Sequence, residues 1–465
     1  MNSLKVIFAA SEAVPFAKTG GLADVAGTLP GELVKLGADV RLIMPKYKTI
    51  PKNFSEAMEY VGYVYVDLAW RHQYCAVLKL KLNGVIAYFI DNEYYFNRDS
   101  LYGHFDEAEQ FAFFSKAVLK VLPLIDFTPD IIHCNDWQTG VVSAFLKASF
   151  GNIEFYKDIK TVYTIHNLKY QGMFSKEILG DILGLSWDYF NSKGLELNDC
   201  VNYMKAGIAY SDILTTVSKT YAEEIKTDFY GENLNSILIK RSDSLYGIVN
   251  GIDYQENDPI TDERIFKNFN ADNIEGKYEN KRMLQNLLEL PEGEDIPVIG
   301  VVSRLTGQKG FDLIACVIDE LLQMDIQLVV LGTGDYNYEE MFRNAANRYR
   351  GKISANITYD SVLAQRIYAG SDMFLMPSLY EPCGLSQLYS LRYGTVPIVR
   401  ETGGLNDTVL AYNEFTGEGT GFTFYRKKDV WKAIVRSGMM QDFSWSNSAK
   451  EYLNLYEKLM ASNKG

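Results

Sequence analysis

The chain has 465 residues, 47% hydrophobic and 23% charged, a balance that excludes a disordered or fibrous protein and suits two or three globular domains. Its 46 basic and 59 acidic side chains leave a formal charge of −13, which argues against a general nucleic-acid binder and requires a local basic pocket for any phosphate-bearing ligand. No apolar run approaches about 20 residues, so no membrane span is expected.

Leu4–Ala10 reads as a first buried strand; it lacks the basic start and cleavage site of a signal peptide. A helix follows over Leu22–Leu36 and a second strand over Val40–Pro45. Between Tyr60 and Ile90, alternating stretches around Asn83-Gly84 predict a β-hairpin excursion. Helices are expected at Asp106–Leu122 and Thr139–Ser149, with a strand at Ile131–His133 between them. Further strands fall at Thr161–Ile165, Ile213–Val217 and Gly247–Asn250, with Tyr203–Tyr210 and Lys219–Lys226 helical. After Asn250-Gly251 the text turns polar and acidic to about Gly276, which reads as an interdomain linker. Strand-like runs resume at Val298–Val302, Leu328–Leu331, Ile353–Thr358, Met373–Met376 and Val396–Val399. The closing stretch Trp445–Leu459 reads as a helix that packs back on the first domain. This alternation predicts an α/β protein: two Rossmann-like doubly wound domains facing a deep interdomain cleft. The expected divisions are 1–252, 253–444 and a terminal helix within 445–465.

Five scattered cysteines (Cys75, Cys134, Cys200, Cys316 and Cys383) show no metal-binding pairs and fit a reducing cytoplasm. The aromatic share is 13%, with 32 tyrosines, whose flat faces and hydroxyls suit sugar rings as well as any large core.

Four strand-to-helix turns carry groups suited to anions. Lys18-Thr19-Gly20-Gly21 offers a full positive charge and glycine amides at a helix start. Ser303-Arg304-Leu305-Thr306-Gly307-Gln308-Lys309-Gly310 places Arg304 and Lys309 at the carboxyl end of a strand, where arginine can fork onto a diphosphate and lysine adds a compact charge. Glu381-Pro382-Cys383-Gly384-Leu385-Ser386 puts a carboxylate beside a run of amides, and Thr402-Gly403-Gly404-Leu405 repeats the pattern. Packing alone explains one such turn readily, but four across two domains poorly. On the first-domain side, Asp136-Trp137-Gln138, His166-Asn167 and Asn250 cluster at strand ends. Asp136 reads as a helix N-cap, Trp137 as a face for sugar packing, and His166 as a hydroxyl contact.

Together these stretches resemble the bacterial glycogen synthase and plant starch synthase family. The likeness is carried by Lys18–Val25, Asp136-Trp137, Tyr163–Phe174 (YTIHNLKYQGMF), Lys205-Ala206-Gly207 with Thr216-Val217-Ser218, and Asn250-Gly251-Ile252-Asp253. Ser303–Gly310, Glu381–Leu388 and Thr402–Leu405 complete it. It runs from Ile7 to the final helix and implies the GT-B arrangement, with ADP-glucose as donor, an α-1,4-glucan as acceptor, retention at the anomeric carbon, and no metal or other cofactor.

The resemblance assigns Arg304 and Lys309 to the departing diphosphate, approached by Lys18, Gly20 and Gly21. His166 and Asn250 would contact the donor glucose, with Glu381 beside its ring. Ser303, Cys383, Gly384, Leu385, Thr402, Gly403 and Gly404 would surround ring hydroxyls and phosphate, and Tyr359 would stack near the base. Glu12, Asp136, Trp137 and Asn167 would line the acceptor side. Retaining hydrolases pair two carboxylates about 5 Å apart; no second carboxylate pairs with Glu381 in the text, so front-side attack with the leaving phosphate as base is expected. Two positions depart from wider relatives. Tyr389 stands where many carry a second Glu eight positions after the first, as the synthase subgroup does. The stretch before Pro259 lacks the usual Trp.

The competing readings are a UDP-sugar transferase of related fold, a glycan phosphorylase, and a non-catalytic glucan-binding protein. Tyr389 and Lys-Thr-Gly-Gly speak against the first, and chain length and the need for a pyridoxal lysine against the second. Intact Arg304, Lys309, His166 and Glu381 speak against the third. No nucleic-acid or membrane partner is expected.

Overall fold

The structure, a computed structural model, describes residues 3–413, 415–421 and 428–462. It divides into two units, one running to Asn250 and resuming at Trp445, the other Gly251–Ser444. The outer limits expected at residues 1 and 465 lie outside the described residues.

The strands of the first unit are β1 (Lys5–Ala9), β2 (Asp39–Pro45), β3 (Glu59–Leu68), β4 (Arg71–Leu82), β5 (Val85–Asp91), β6 (Ile131–Asn135) and β7 (Lys160–Ile165). After them come β8 (Met173–Ser175), β9 (Glu196–Leu197), β10 (Cys200–Asn202), β11 (Ile213–Thr216) and β12 (Leu245–Gly247). Nine of these make one sheet in the order β12-β11-β7-β6-β1-β2-β5-β4-β3, and β8, β10 and β9 form a small separate sheet. Pairing is parallel from β12 to β5. The parallel strands are covered on both faces, so β6 is buried throughout and β1 from its second residue on, which is why they read as nearly unbroken apolar runs. The helix Gly21–Lys35 buries Leu22, Val25, Ala26, Leu29 and Leu33, the stripe expected of a helix lying on a sheet.

Several elements differ from expectation. The hairpin at Asn83-Gly84 forms, with φ of 49° and 84° at the two turn residues. It is no excursion, because β5 pairs with β2 from Arg41↔Ile86 to Pro45↔Ile90 and so joins the main sheet. Its residues Ala87–Ile90 are buried and could not stand free. The helix expected over Thr139–Ser149 is broken into a 3-10 turn (Trp137–Thr139), an α-helix (Val141–Phe145) and a π-turn (Leu146–Phe150). The strand expected at Gly247–Asn250 instead ends at Gly247, which lies against the Ser218 backbone where a Cβ would meet Ser218 O at 2.2 Å. The helix Trp445–Ala461 buries Trp445, Ala449, Tyr452, Tyr456 and Leu459 in the core of the first unit.

The second unit is built on β13 (Val298–Val302), β14 (Gln327–Leu331), β15 (Ile353–Asn356), β16 (Met373–Met376) and β17 (Val396–Val399). Their order is β15-β14-β13-β16-β17, all parallel, with helices between them. The acidic stretch after Gly251 is not a linker but part of this unit. Ile265 and Phe269 enter its core beside Phe374 and Tyr393. The buried Asp262 accepts from the Arg264 guanidinium at 2.7 Å and from the Tyr393 hydroxyl at 2.5 Å. Its Asp and Asn residues hold turns: Asp253, Asp258 and Asn270 each accept from a backbone amide two residues on.

Candidate active site

In an open parallel sheet the ligand crevice lies where the strand order reverses. In the first unit the chain leaves β1 for β2 and β5, then returns to β6 on the other side of β1. Glu12 follows β1 and Asp136 is the first residue past β6, so both stand at this switch point. In the second unit the reversal lies between β13 and β16. Ser303 and Arg304 follow β13 directly, and Ser378 and Glu381 follow β16.

The Glu12 carboxylate is buried and already engaged. It accepts from the Thr19 amide at 2.6 Å and the Thr19 hydroxyl at 2.7 Å, and from the Gly20 amide. Burial raises its pKa, against the pull of those donors. Glu12 therefore shapes the Lys18–Gly21 turn, a role its sequence position did not reveal. Gly20 lies against the same carboxylate, with a Cβ position 3.5 Å from Glu12 Oε1. Lys18 is likewise committed: its ammonium pairs with Asp24 at 2.6 Å across the start of the helix. The free cation expected at this turn is thus neutralised from within.

Asp136 sits at φ +55°, an uncommon setting for a residue with a side chain. Its carboxylate does not cap the following turn. It reaches across to the next strand end, accepting the His166 amide at 2.8 Å and the Asn167 amide. Burial pushes its pKa up to about 7 despite these donors, and the Glu12 charge adds to the rise. His166 Nε2 lies 2.9 Å from Asn135 Oδ1, while Asn135 Nδ2 donates to Ala9 O at 3.0 Å. That amide orientation makes Nε2 the protonated nitrogen and leaves Nδ1 as an acceptor. Burial lowers the His166 pKa to about 3, so the ring is neutral. Asn167 is half-buried and accepts from the Lys169 amide at 3.1 Å. Asn250 is buried, and its Oδ1 has no hydrogen-bond partner among the described residues. Trp137 does not offer an open face to sugar. It is 8% exposed, with Phe111, Phe174 and Tyr203 around it and Gly172 pressed against its ring.

In the second unit, Lys309 Nζ lies 2.6 Å from Glu381 Oε2, and the Ser378 hydroxyl donates to the same oxygen at 3.1 Å. Both charged side chains are largely buried, at 16% and 8% exposure. Their loops are laced by Leu379 N to Gln308 O at 2.8 Å and Gln308 Nε2 to Tyr380 O at 3.2 Å. Gly310, at φ +73°, makes this approach possible: a Cβ would lie 2.0 Å from Pro377 O. Arg304 is exposed and has no side-chain partner among the described residues. Ser303 is half-buried beside it, its hydroxyl directed to Arg304 O at 3.3 Å.

The turn of Thr402, Gly403 and Gly404 packs on the backbone of Glu381–Cys383. The Gly404 amide is spent there, donating to Glu381 O and Pro382 O at 3.1 Å each, and is not available to a ligand. Gly384 and Leu385 are different: their amides meet no protein acceptor among the described residues. Cys383 and Thr402 are buried, and Tyr359 is 86% exposed. Gln387, which the sequence reading passed over, ties this corner together. Its Nε2 donates to Cys383 O, Gly384 O and Thr408 Oγ1 at 3.0, 2.9 and 3.1 Å. Ser378, Thr19, Asn135 and Asp24 were missed in the same way. Each is a small polar residue at or just past a strand end, or near a helix start, a signal too common to single out.

Among the described residues, no group of three or more His, Cys, Asp or Glu side chains could hold a metal ion. No helix there is long and apolar enough to cross a membrane.

Two α/β units, the first on a largely parallel sheet and the second on a fully parallel one with Arg304 and Lys309 at its switch point, have the architecture of a glycosyltransferase of the GT-B class. Residues 5–240 match the starch synthase catalytic domain family, and residues 288–437 match glycosyl transferases group 1. The chain is 54% identical to the glycogen synthase of Desulforamulus reducens and 53% identical to that of Clostridium novyi, in each case over 98% of this chain and 99% of the other. The catalytic domain of starch synthase IV from Arabidopsis thaliana, solved with ADP and acarbose, superposes with a TM-score of 0.91 at 33% identity, covering 99% of this chain and all of that one. A sucrose-phosphate synthase from Thermosynechococcus elongatus shares the fold at a TM-score of 0.60 and 16% identity, with 99% and 100% coverage. The chain belongs to the glycogen synthase and starch synthase family.

Proposed function

We propose that this chain is a glycogen synthase that transfers glucose from ADP-glucose to the non-reducing end of an α-1,4-glucan, with retention of anomeric configuration and release of ADP. The observation that carries this reading is the Lys309–Glu381 pair at the β13–β16 switch point, where Arg304 follows β13 with no side-chain partner among the described residues. Full-length likeness to glycogen synthases, and to a starch synthase that binds ADP and acarbose, supports the choice of donor and acceptor.

When the glycosidic bond breaks, negative charge grows on the diphosphate and positive charge on the sugar. Arg304 and Lys309 stabilise the first, a contribution of about 3 kcal/mol for one such group. Glu381 and Ser378 fix the ammonium before the reaction, so no reorganisation is needed as the charge develops. The amides of Gly384 and Leu385 are available for phosphate or hydroxyl oxygens. In the first unit, the Asn250 Oδ1 and His166 Nδ1 acceptors suit sugar hydroxyls, and the His166 carbonyl eases the sugar cation. Neutral His166 is a hydrogen-bonding group and not the acid. The leaving phosphate takes the proton of the attacking hydroxyl, and no step calls for a metal.

The test is nucleotide release from ADP-glucose and from UDP-glucose, each with and without glycogen and with and without a chelator. Glycogen-dependent ADP release that survives chelation is expected. Preference for UDP-glucose would replace the donor, and no release from either would sink the reading.

A further inference from the structure

The edge of a β-sheet leaves a row of backbone donors and acceptors unpaired, and most chains blunt it with a short edge strand, a lysine or a proline. Among the described residues, β15 and β17 at the edges of the second unit's sheet have four residues each, and β12 in the first unit has three. β3, at the other edge of the nine-stranded sheet, has ten residues, EYVGYVYVDL, with neither Lys nor Pro. A bulge interrupts it between Tyr60 and Gly62, and Tyr63–Leu68 is a regular open edge.

The turn decides which groups are free. Ala69-Trp70 is a two-residue loop, so Leu68 and Arg71 form a hydrogen-bonded pair. Bonding alternates from there: Val66 and Val64 spend their backbone groups on β4, and those of Tyr63, Tyr65 and Asp67 point outward. No other backbone group bonds to these three among the described residues. Their side chains share the outer face, with Tyr63 53% and Tyr65 44% exposed, while Val66 and Leu68 are buried on the inner one.

The partner that fits such an edge is another strand, and β3 is complementary to itself. Two copies related by a two-fold axis at Tyr65 run antiparallel, with Tyr65 opposite Tyr65 and Tyr63 opposite Asp67 on either side. About six backbone hydrogen bonds form, and the bulge stays outside the pairing. No charge faces a like charge. Asp67, the one ionised group on this segment, is also neutralised within its own chain by His72 at 2.5 Å and Lys120 at 3.8 Å. Facing tyrosines are a favourable cross-strand pair. They join two ring clusters, each of Tyr63, Tyr65 and Tyr74 with centroids 5.4 to 6.1 Å apart, into one aromatic face. The two-fold consumes both long edges, so association closes at two chains and does not propagate.

We propose that β3 is a dimerisation edge, on which a second copy of this chain pairs antiparallel about Tyr65 and makes the two nine-stranded sheets continuous. Nothing in this depends on the identity of donor or acceptor.

The test is the oligomeric state of the full chain by sedimentation equilibrium, for the parent, Tyr65→Pro and Tyr65→Lys. Proline removes the central outward donor at a position where an edge strand accepts it. Lysine sets two like charges across the axis and leaves the backbone intact, should the proline variant fail to fold. The parent is expected to be a dimer, and each substitution should raise its dissociation constant at least about tenfold with the far-UV circular dichroism unchanged. Register is read by cross-linking in a Cys316→Ser background, which removes the exposed thiol. There Tyr65→Cys should form an intermolecular disulfide on oxidation and Glu59→Cys should not, since facing Cα atoms of such a pair lie about 5.5 Å apart. A parent that stays monomeric at every concentration overturns the proposal and leaves the edge to a strand of another protein. A dimer whose dissociation neither substitution changes overturns it too, and places the interface elsewhere.

Discussion

Lys309 and Glu381, 72 residues apart, meet at 2.6 Å in a pair that the Ser378 hydroxyl completes. The two loops carrying them leave adjacent strands at the point where the order of the second sheet reverses. The basic group expected to face a diphosphate is thus oriented by a carboxylate of its own site. Removing either partner leaves the other charged and largely buried. Lys309→Met or Glu381→Gln alone should lower stability by about 3 kcal/mol and cut turnover by about 10²–10³-fold. The double variant should regain most of the stability and none of the turnover. Chemical denaturation together with ADP-release rates checks this, and a double variant that regains turnover would remove the pair from the reaction.

Gly403 stands at φ +47°, with Glu381 O only 2.0 Å from where a Cβ would sit. Gly403→Ala should cost about 2 kcal/mol or more and displace the Glu381 backbone, lowering turnover as well. Gly180 has open space around it and no positive φ, so Gly180→Ala is the matched control and should change neither quantity. Equal melting temperatures for the two variants would contradict the close approach.

Asn250 has a buried oxygen with no protein partner among the described residues, a cost that a ligand hydroxyl would relieve. Asn250→Leu should leave stability within about 1 kcal/mol of the parent or raise it, while the KM for the sugar nucleotide rises at least tenfold. An unchanged KM would mean that the oxygen meets no substrate group.

The buried His133 contributes to acid sensitivity. Its folded pKa is lowered from 6.5 to about 3, chiefly by burial. Between those values the unfolded chain binds the proton and the native chain does not, so stability falls as pH drops below 6.5. His133→Gln removes this term. The stability of the parent relative to the variant should fall by about 1.4 kcal/mol per pH unit below 6.5. A constant gap from pH 7 to 5 would show that the ring takes up protons in the native state.

Val298–Val302, Met373–Met376 and Val396–Val399 were legible to the residue, because strands buried on both faces read as short apolar runs between turn signals. The stretch after Gly251 was misread because Asp and Asn serve solvated linkers and tight turns alike. Only the burial of Ile265 and Phe269 distinguishes the two. In the site, Arg304, Lys309 and Glu381 were legible as a constellation, since their motifs fix their place at strand ends. What each touches was not. That Lys18 meets Asp24, that Glu12 takes the Thr19 donors, and that the Gly404 amide is spent on Glu381 O are pairings set by how the turns fold, which no residue pattern encodes.

The most direct measurement follows the product itself. The chain is incubated with ADP-glucose and a short α-1,4-glucan, and the product is examined by mass spectrometry and proton NMR. Glycogen synthase activity predicts glucans lengthened by single glucose units, each new linkage α-1,4, with one ADP released per unit. Untouched glucan, free glucose in place of elongation, or a β-linked product would contradict it.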